Sequence, residues 1–315
     1  MSAAKGESRE RGARMLRLGY ITNGFGDHSL EQAAEVLHHF GYQSIGITLG
    51  PPHLDPRATS RGRLEELRRT FERRGLEPVI ETGARYVLDP FRKHRPSLVS
   101  VDSTAREQRA SYYRHAIDIA AELGAPLISV WSGTPQPKVP EERSWSRLVA
   151  GLLPVLDHAA ERGIRVAFEP EPGMFIEDLA DWRALRERVD HPALGLTIDV
   201  GHLAVTEEAP WERHLIEHRD ELLHVHLDDA ANGIHEHLPP GQGELDWTGI
   251  LGALDRIGFG GVALVELSRH SHVAPVMAQR SILFLRRVEA RVRAAAAAGG
   301  SPPRGAGDDQ DRSDA

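Results

Sequence analysis

Cysteine is absent from the 315 residues. Disulfides and thiolate metal sites are therefore excluded outright, and any metal must be held by His, Asp and Glu. The same absence fits a reducing cytoplasm, which is the expected location. Long apolar runs are also missing: no stretch of about 18 such residues is present to span a bilayer. The opening Met1–Arg14 is polar and charged, without the apolar segment that a secretory signal needs. Lysine is scarce, with Lys5, Lys93 and Lys138 the only lysines among 38 basic residues. Against 46 acidic residues the formal net charge is −8. A duplex-binding protein normally carries a basic excess, because phosphate neutralisation supplies most of its affinity. The expected partner is thus neither nucleic acid nor membrane but a small molecule, with a homo-oligomer left open.

What is present is an ordinary soluble composition, 40% hydrophobic and 27% charged, in a chain of the usual size for one α/β barrel. Residues 1–14 and 297–315 lack periodicity or are rich in Gly, Pro, Asp and Ser, and are expected to be disordered tails. Between them, in 15–296, short apolar runs alternate with segments of helical spacing. Strands are expected at Leu16–Thr22, Ser44–Leu49, Pro78–Thr82, Pro126–Trp131, Arg165–Glu169, Leu194–Asp199, Leu222–Leu227 and Val262–Leu267. Helices are expected at Leu30–Phe40, Arg61–Arg74, Ala105–Leu123, Ser144–Arg162, Leu179–Arg188, Pro210–Arg219, Trp247–Ile257 and Pro275–Ala296. Several stop at a glycine (Gly41, Gly75, Gly124, Gly163, Gly258), the residue that most readily takes the left-handed turn ending a helix. Strand then helix, repeated eight times, predicts a closed (β/α)8 TIM barrel. The competing doubly wound sheet would normally place a glycine-rich phosphate turn after its first strand. Here Thr22-Asn23-Gly24-Phe25-Gly26-Asp27-His28 lacks the third spaced glycine.

In such a barrel, chemistry collects where the strands end. The fifth expected strand ends in Glu169-Pro170-Glu171, the sixth in Asp199-Val200-Gly201-His202, the seventh in His224-Val225-His226-Leu227-Asp228, and the eighth in Glu266-Leu267-Ser268-Arg269. Alone, each is most simply a surface ion pair or a satisfied core histidine. Together, four consecutive strands deliver carboxylate or imidazole to one rim, where burying isolated charges would be expensive unless a divalent cation neutralises them. Carboxylates with one imidazole suit Mn2+ or Mg2+ first, and Zn2+, Co2+ or Fe2+ as well.

These residues, with the Gly241-Gln242-Gly243-Glu244-Leu245-Asp246-Trp247 loop, resemble the xylose isomerase-like barrel superfamily over about Leu16 to Arg287. That group includes sugar phosphate isomerases and epimerases, tagatose 3-epimerase, hydroxypyruvate isomerase, inosose isomerase and dehydratase, and endonuclease IV. The resemblance implies Glu169, Asp199, His226 and Glu266 as metal ligands. It further implies Glu169 and Glu266 as paired acid/base carboxylates and His202 as the imidazole beside the substrate oxygens. Between the strand-seven histidines it favours His226 over His224. The implied reaction is a metal-dependent isomerisation or epimerisation of a sugar, sugar phosphate or cyclitol through an enediolate. Alternatives are a dehydratase acting on an inosose-like substrate, an endonuclease IV-like metal phosphodiesterase, and a non-catalytic carbohydrate-binding barrel or complex subunit.

Some features stand outside the one-metal pattern. His235 and His237, together with His202, could hold a second cation, or could instead bond substrate hydroxyls or line the loop. Trp131 could wall a sugar ring or close the core. Glu244 and Arg269 complete the candidate substrate contacts, and Arg92-Lys93-His94-Arg95 could grip an anion or simply be a solvated loop. Glu171 shares the strand phase of Glu169 and reads as either a supporting group or a surface acid.

Overall fold

The continuous apolar runs form strands that pair in parallel, and a computed structural model describes residues 15–83 and 85–298. In chain order these are β1 (Arg17–Ile21), α1 (Leu30–His39), β2 (Ser44–Thr48), α2 (Arg61–Arg74), β3 (Glu77–Glu81), α3 (Ser103–Leu123), β4 (Leu127–Val130) and α4 (Glu141–Arg162). Next come β5 (Arg165–Phe168), α5 (Leu179–Arg188), β6 (Leu194–Asp199), α6 (Val200–Thr206), α7 (Glu212–Glu217) and β7 (Leu222–Leu227). The chain closes with β8 (Asp229–Ala231), β9 (Ile234–Leu238), α8 (Trp247–Arg256), β10 (Val262–Val265) and α9 (Ala274–Ala297). The barrel order is β1-β10-β7-β6-β5-β4-β3-β2, so β10 returns to pair with β1 and the (β/α)8 TIM barrel is closed.

Local signals explain the boundaries. Ser29 and Gln32 form a reciprocal capping box at α1, while Asp102, Asp178 and Asp246 cap α3, α5 and α8 with their carboxylates. Gly124 and Gly163 end α3 and α4 in the left-handed region. Inside the ring, Ile21, Val79, Leu127, Ala167, Val262 and Leu264 form a small apolar plug; a larger apolar layer lies between strands and helices. The buried carboxylates Glu81, Glu169 and Asp199 lie at or just past the ends of their strands.

The structure departs from the sequence reading after β6 and β7. The expected helix Pro210–Arg219 is shortened to α7, and a capped helix, α6, follows β6 directly. After β7 the chain makes the antiparallel hairpin β8–β9, turning at Asn232 (φ 56) and Gly233 (φ 66). Both φ values are positive, as a two-residue type I′ hairpin requires, and Asn-Gly is its preferred pair. Helix α9 runs one residue past the expected barrel end; the expected tails otherwise lie outside the described residues. Among the described residues no helix is long and apolar enough to cross a membrane.

Asp229, buried at the start of this hairpin, organises the glycine-rich loop. Its carboxylate accepts the backbone N–H of Gly241 (2.9 Å) and Leu245 (3.2 Å) and the Trp247 indole N–H (2.8 Å). Replacing Asp229 by Ala strands these buried donors, so a loss of about 3 kcal/mol is expected in urea denaturation. A change below about 0.5 kcal/mol would refute this role.

Candidate metal centre and active site

Register places the candidate ligands at one level. Asp199, the last residue of β6, pairs with His226 of β7. Glu169 follows β5 and donates its backbone N–H to Val130 (2.8 Å), while Glu266 follows β10 and donates to Leu227 (3.3 Å). Parallel strands of matched height thus bring side chains from four segments to one point. His226 Nδ1 stands 3.1 Å from both Glu169 Oε1 and Glu266 Oε2, and 3.8 Å from Asp199 Oδ2. One donor atom from each of Glu169, Asp199, His226 and Glu266 lies within 4.8 Å of the others. These are the residues that the sequence reading singled out.

The Asp-x-x-His spacing has a local explanation. Asp199 caps α6, its Oδ1 accepting the His202 N–H at 3.0 Å. Its other oxygen, Oδ2, is buried and has no hydrogen-bond partner. A buried carboxylate oxygen without a partner, facing an imidazole and two further carboxylates, is the signature of a site shaped for a cation. The residues present therefore fit a divalent metal.

A second cluster adjoins the first. In β9 successive side chains alternate faces, so His235 and His237 project together, and His202 meets them from the first turn of α6. His235 Nε2 lies 2.9 Å from His202 Nε2 and 3.0 Å from His237 Nε2. The outer ring nitrogens of the flanking pair are engaged elsewhere: His202 Nδ1 faces the Pro170 carbonyl at 3.4 Å, and His237 Nδ1 meets the Asp228 carboxylate. Three Nε2 atoms thus converge, and although burial opposes it, the Asp228 carboxylate pushes the His237 imidazole up to about 10, so a cation would have to displace its Nε2 proton. His237 is held at φ 51, a region that non-glycine residues enter at a cost of about 1 kcal/mol. Gly201 allows α6 to approach: a Cβ there would stand 2.3 Å from Asp228 Oδ1, which instead accepts the Gly201 N–H at 3.1 Å.

The electrostatics follow from crowding. Burial opposes a charged His226, yet Glu169 and Glu81 hold its imidazole pKa well above the usual range. Burial likewise opposes charge on Asp199, but His202, the neighbouring Asp228 carboxyl and the His237 and His226 rings bring its carboxyl down to about 2. Glu171 moves the other way: burial, then Glu169 and Glu266, push its carboxyl up to about 8. Half-buried beside these carboxylates, it stands at the rim of the cluster. Burial and the neighbouring imidazoles lower His235 to about 4, leaving it neutral. In the ion-free protein, His226 thus carries a proton that a cation must displace. Because its folded pKa is raised, this competition is strongest at low pH and fades as pH rises through that pKa. Near pH 7, binding of one ion should release about one proton, and affinity should climb about tenfold per pH unit. Calorimetry in buffers of differing ionisation enthalpy measures this release; zero release would contradict it.

Other candidate residues fall elsewhere. Trp131 is only 5% exposed and packs against the Arg109 guanidinium (4.9 Å) and the His94 ring, the surroundings of a side chain that closes the core. Glu244 is exposed on the glycine-rich loop, and Arg269 reaches the His235 carbonyl (3.3 Å), bracing the hairpin. In the Arg92–Arg95 loop, Arg92 pairs with Asp89, and His94 bonds Gly83. Two supports escaped the sequence reading. The Asn23 amide donates to Glu266 Oε1 at 2.8 Å, and Glu81 reaches the strand-seven histidines across the barrel.

Comparison with known proteins agrees with this architecture. A putative L-ribulose-5-phosphate 3-epimerase, SgbU, of Escherichia coli is 26% identical over 226 residues, covering 69% of this chain and 77% of that protein. An inosose dehydratase of Geobacillus thermodenitrificans is 27% identical over 198 residues, covering 53% and 66%. Among solved structures, an L-ribulose 3-epimerase superposes with TM-score 0.75 at 18% identity, over 92% of this chain and all of that one. The IOLI protein with a bound zinc atom gives TM-score 0.70 at 19% identity, over 87% and 98%. At such identities the structural likenesses speak for the fold alone. The sequence pattern of the xylose isomerase-like TIM barrel family matches residues 34–288, and the chain belongs to that family.

Proposed function

We propose that the chain is a divalent-metal-dependent isomerase or epimerase that moves a proton on a small sugar, sugar phosphate or cyclitol. The observation that carries this reading is the convergence of Glu169, Asp199, His226 and Glu266 around the unpartnered Asp199 Oδ2. Those residues would hold the ion. When bound, it would supply positive charge beside a substrate carbonyl and lower the cost of negative charge on that oxygen. Mn2+ or Mg2+ suits the carboxylate-rich set, and Zn2+, Co2+ or Fe2+ also fit it.

The chain's own groups divide the remaining work. Glu169 takes the carbon-bound proton, and Glu266, fixed by the Asn23 amide, returns a proton to the opposite face or to the neighbouring carbon. His202, at 3.7 Å from Glu169 Oε1, would meet the substrate oxygens. The His202, His235 and His237 triad would hold a second cation, with Zn2+ matching its imidazole donors.

Kinship to an inosose dehydratase supports a second reading within the same proton chemistry. After abstraction, a β-hydroxyl would leave as water, protonated by a neutral acid such as Glu171. The test is incubation in deuterium oxide with a panel of ketoses, sugar phosphates and inososes, followed by mass spectrometry and metal analysis. Chelator-sensitive deuterium uptake at carbon with no mass loss supports isomerisation or epimerisation. Loss of 18 mass units, the mass of one water, would favour the dehydratase. Retention of every carbon-bound proton would remove both readings.

A further inference from the structure

The mechanism leaves unused a buried acid on the far side of the barrel. Glu81 ends β3, 7% exposed, and its Oε1 stands 3.4 Å from His226 Nε2 and 3.1 Å from His224 Nε2. His226 comes from β7, across the barrel from β3. The two faces of its ring therefore meet different company. Nδ1 looks at Glu169, Asp199 and Glu266, whereas among the described residues Glu81 is the only carboxylate within 4.0 Å of Nε2.

An imidazole that ligates through one nitrogen must carry its proton on the other, and a carboxylate acceptor there fixes both tautomer and ring plane. His224 reinforces the arrangement. Its Nδ1 is turned to the Val262 carbonyl at 3.0 Å, which requires a proton on that nitrogen, while Nε2 is directed at the same Glu81 oxygen. Ring nitrogens from two successive inward positions of one strand thus face the same Glu81 oxygen under the site.

We infer that Glu81 is a positioning residue: it accepts the His226 Nε2–H across the barrel and so presents Nδ1 as the metal-binding nitrogen. The inference rests on the metal reading above, but it concerns a residue outside the ligand set. Such outer partners typically contribute about ten- to a hundredfold to metal affinity.

The experiment titrates ion-free protein with Mn2+, following the six-line EPR signal of the free ion, for the wild type, Glu81→Gln and Glu81→Met. Apo-protein melting temperatures are recorded alongside. Expected is a loss of affinity of about ten- to a hundredfold in Glu81→Met and a smaller loss in Glu81→Gln, whose amide oxygen still accepts the Nε2–H. Because Glu81→Met could fail to fold, nitrogen-15 NMR of the Zn2+-loaded wild type provides a measurement free of that risk. The His226 resonances, assigned by their disappearance in His226→Gln, should show Nδ1 bound to metal and Nε2 protonated. Ligation through Nε2, or wild-type Mn2+ affinity in both Glu81 variants, would overturn the inference while leaving the metal site intact. Absence of any ion binding by the wild type would overturn the functional reading and this inference together.

Discussion

Replacing Glu266 with Gln is expected to slow solvent-deuterium exchange at the substrate carbon by about 10²- to 10⁴-fold, the usual contribution of a positioned acid or base. Glutamine keeps the shape and a carbonyl oxygen, so the Asn23 contact and the neighbouring fold should persist. The loss should therefore appear in kcat, with the melting temperature nearly unchanged. Glu169→Gln should act in the same way, since Glu169 and Glu266 approach His226 Nδ1 at the same 3.1 Å from different strands. A Glu266→Gln protein with wild-type exchange would show that the proton is handled elsewhere. A wild-type protein that binds sugar but shows no exchange would point to a non-catalytic carbohydrate-binding barrel.

Stripping the protein of divalent cations should have a comparably large effect. Charge stabilisation by a metal ion contributes several kcal/mol, and about 1.4 kcal/mol corresponds to a factor of ten. Dialysis against a chelator should thus reduce turnover about a thousandfold or more, with recovery on adding Mn2+. Asp199→Ala should be equally inactive but not recover, because it deletes the oxygen that has no other partner. Full activity after exhaustive chelation, verified by metal analysis, would contradict the account. Removing the neighbouring triad with His235→Ala tells the two clusters apart: a stoichiometry falling from two ions to one would assign the second ion to the imidazoles.

The candidate ligands could be read in the sequence because each stands where a continuous apolar run stops. A strand buried on both faces has no place for a carboxylate except its end, so Glu169, Asp199 and Glu266 announce themselves by position. The hairpin that carries His235 and His237 was less legible. Its strands are short and polar, and β9 is half-exposed, so neither periodicity nor hydrophobicity marks it. The available signal was Asn232-Gly233, the preferred pair of a two-residue hairpin turn. Helix α6 was hidden for another reason: at seven residues it is too short to show a period, and its capping residue is also a candidate ligand. Glu81 was legible as a strand-end acid, but its contact with His226 and that of Asn23 with Glu266 were not, since the partners lie 145 and 243 residues away and meet only once the barrel closes. Trp131 had two equal readings in the sequence, and its burial against Arg109 and His94 favours closing the core.

The most direct test is a crystal structure of Mn2+-soaked protein with anomalous data collected for manganese. The account predicts an anomalous peak bonded to oxygens of Glu169, Asp199 and Glu266 and to Nδ1 of His226. A map with no peak there, at concentrations that support turnover, would contradict it.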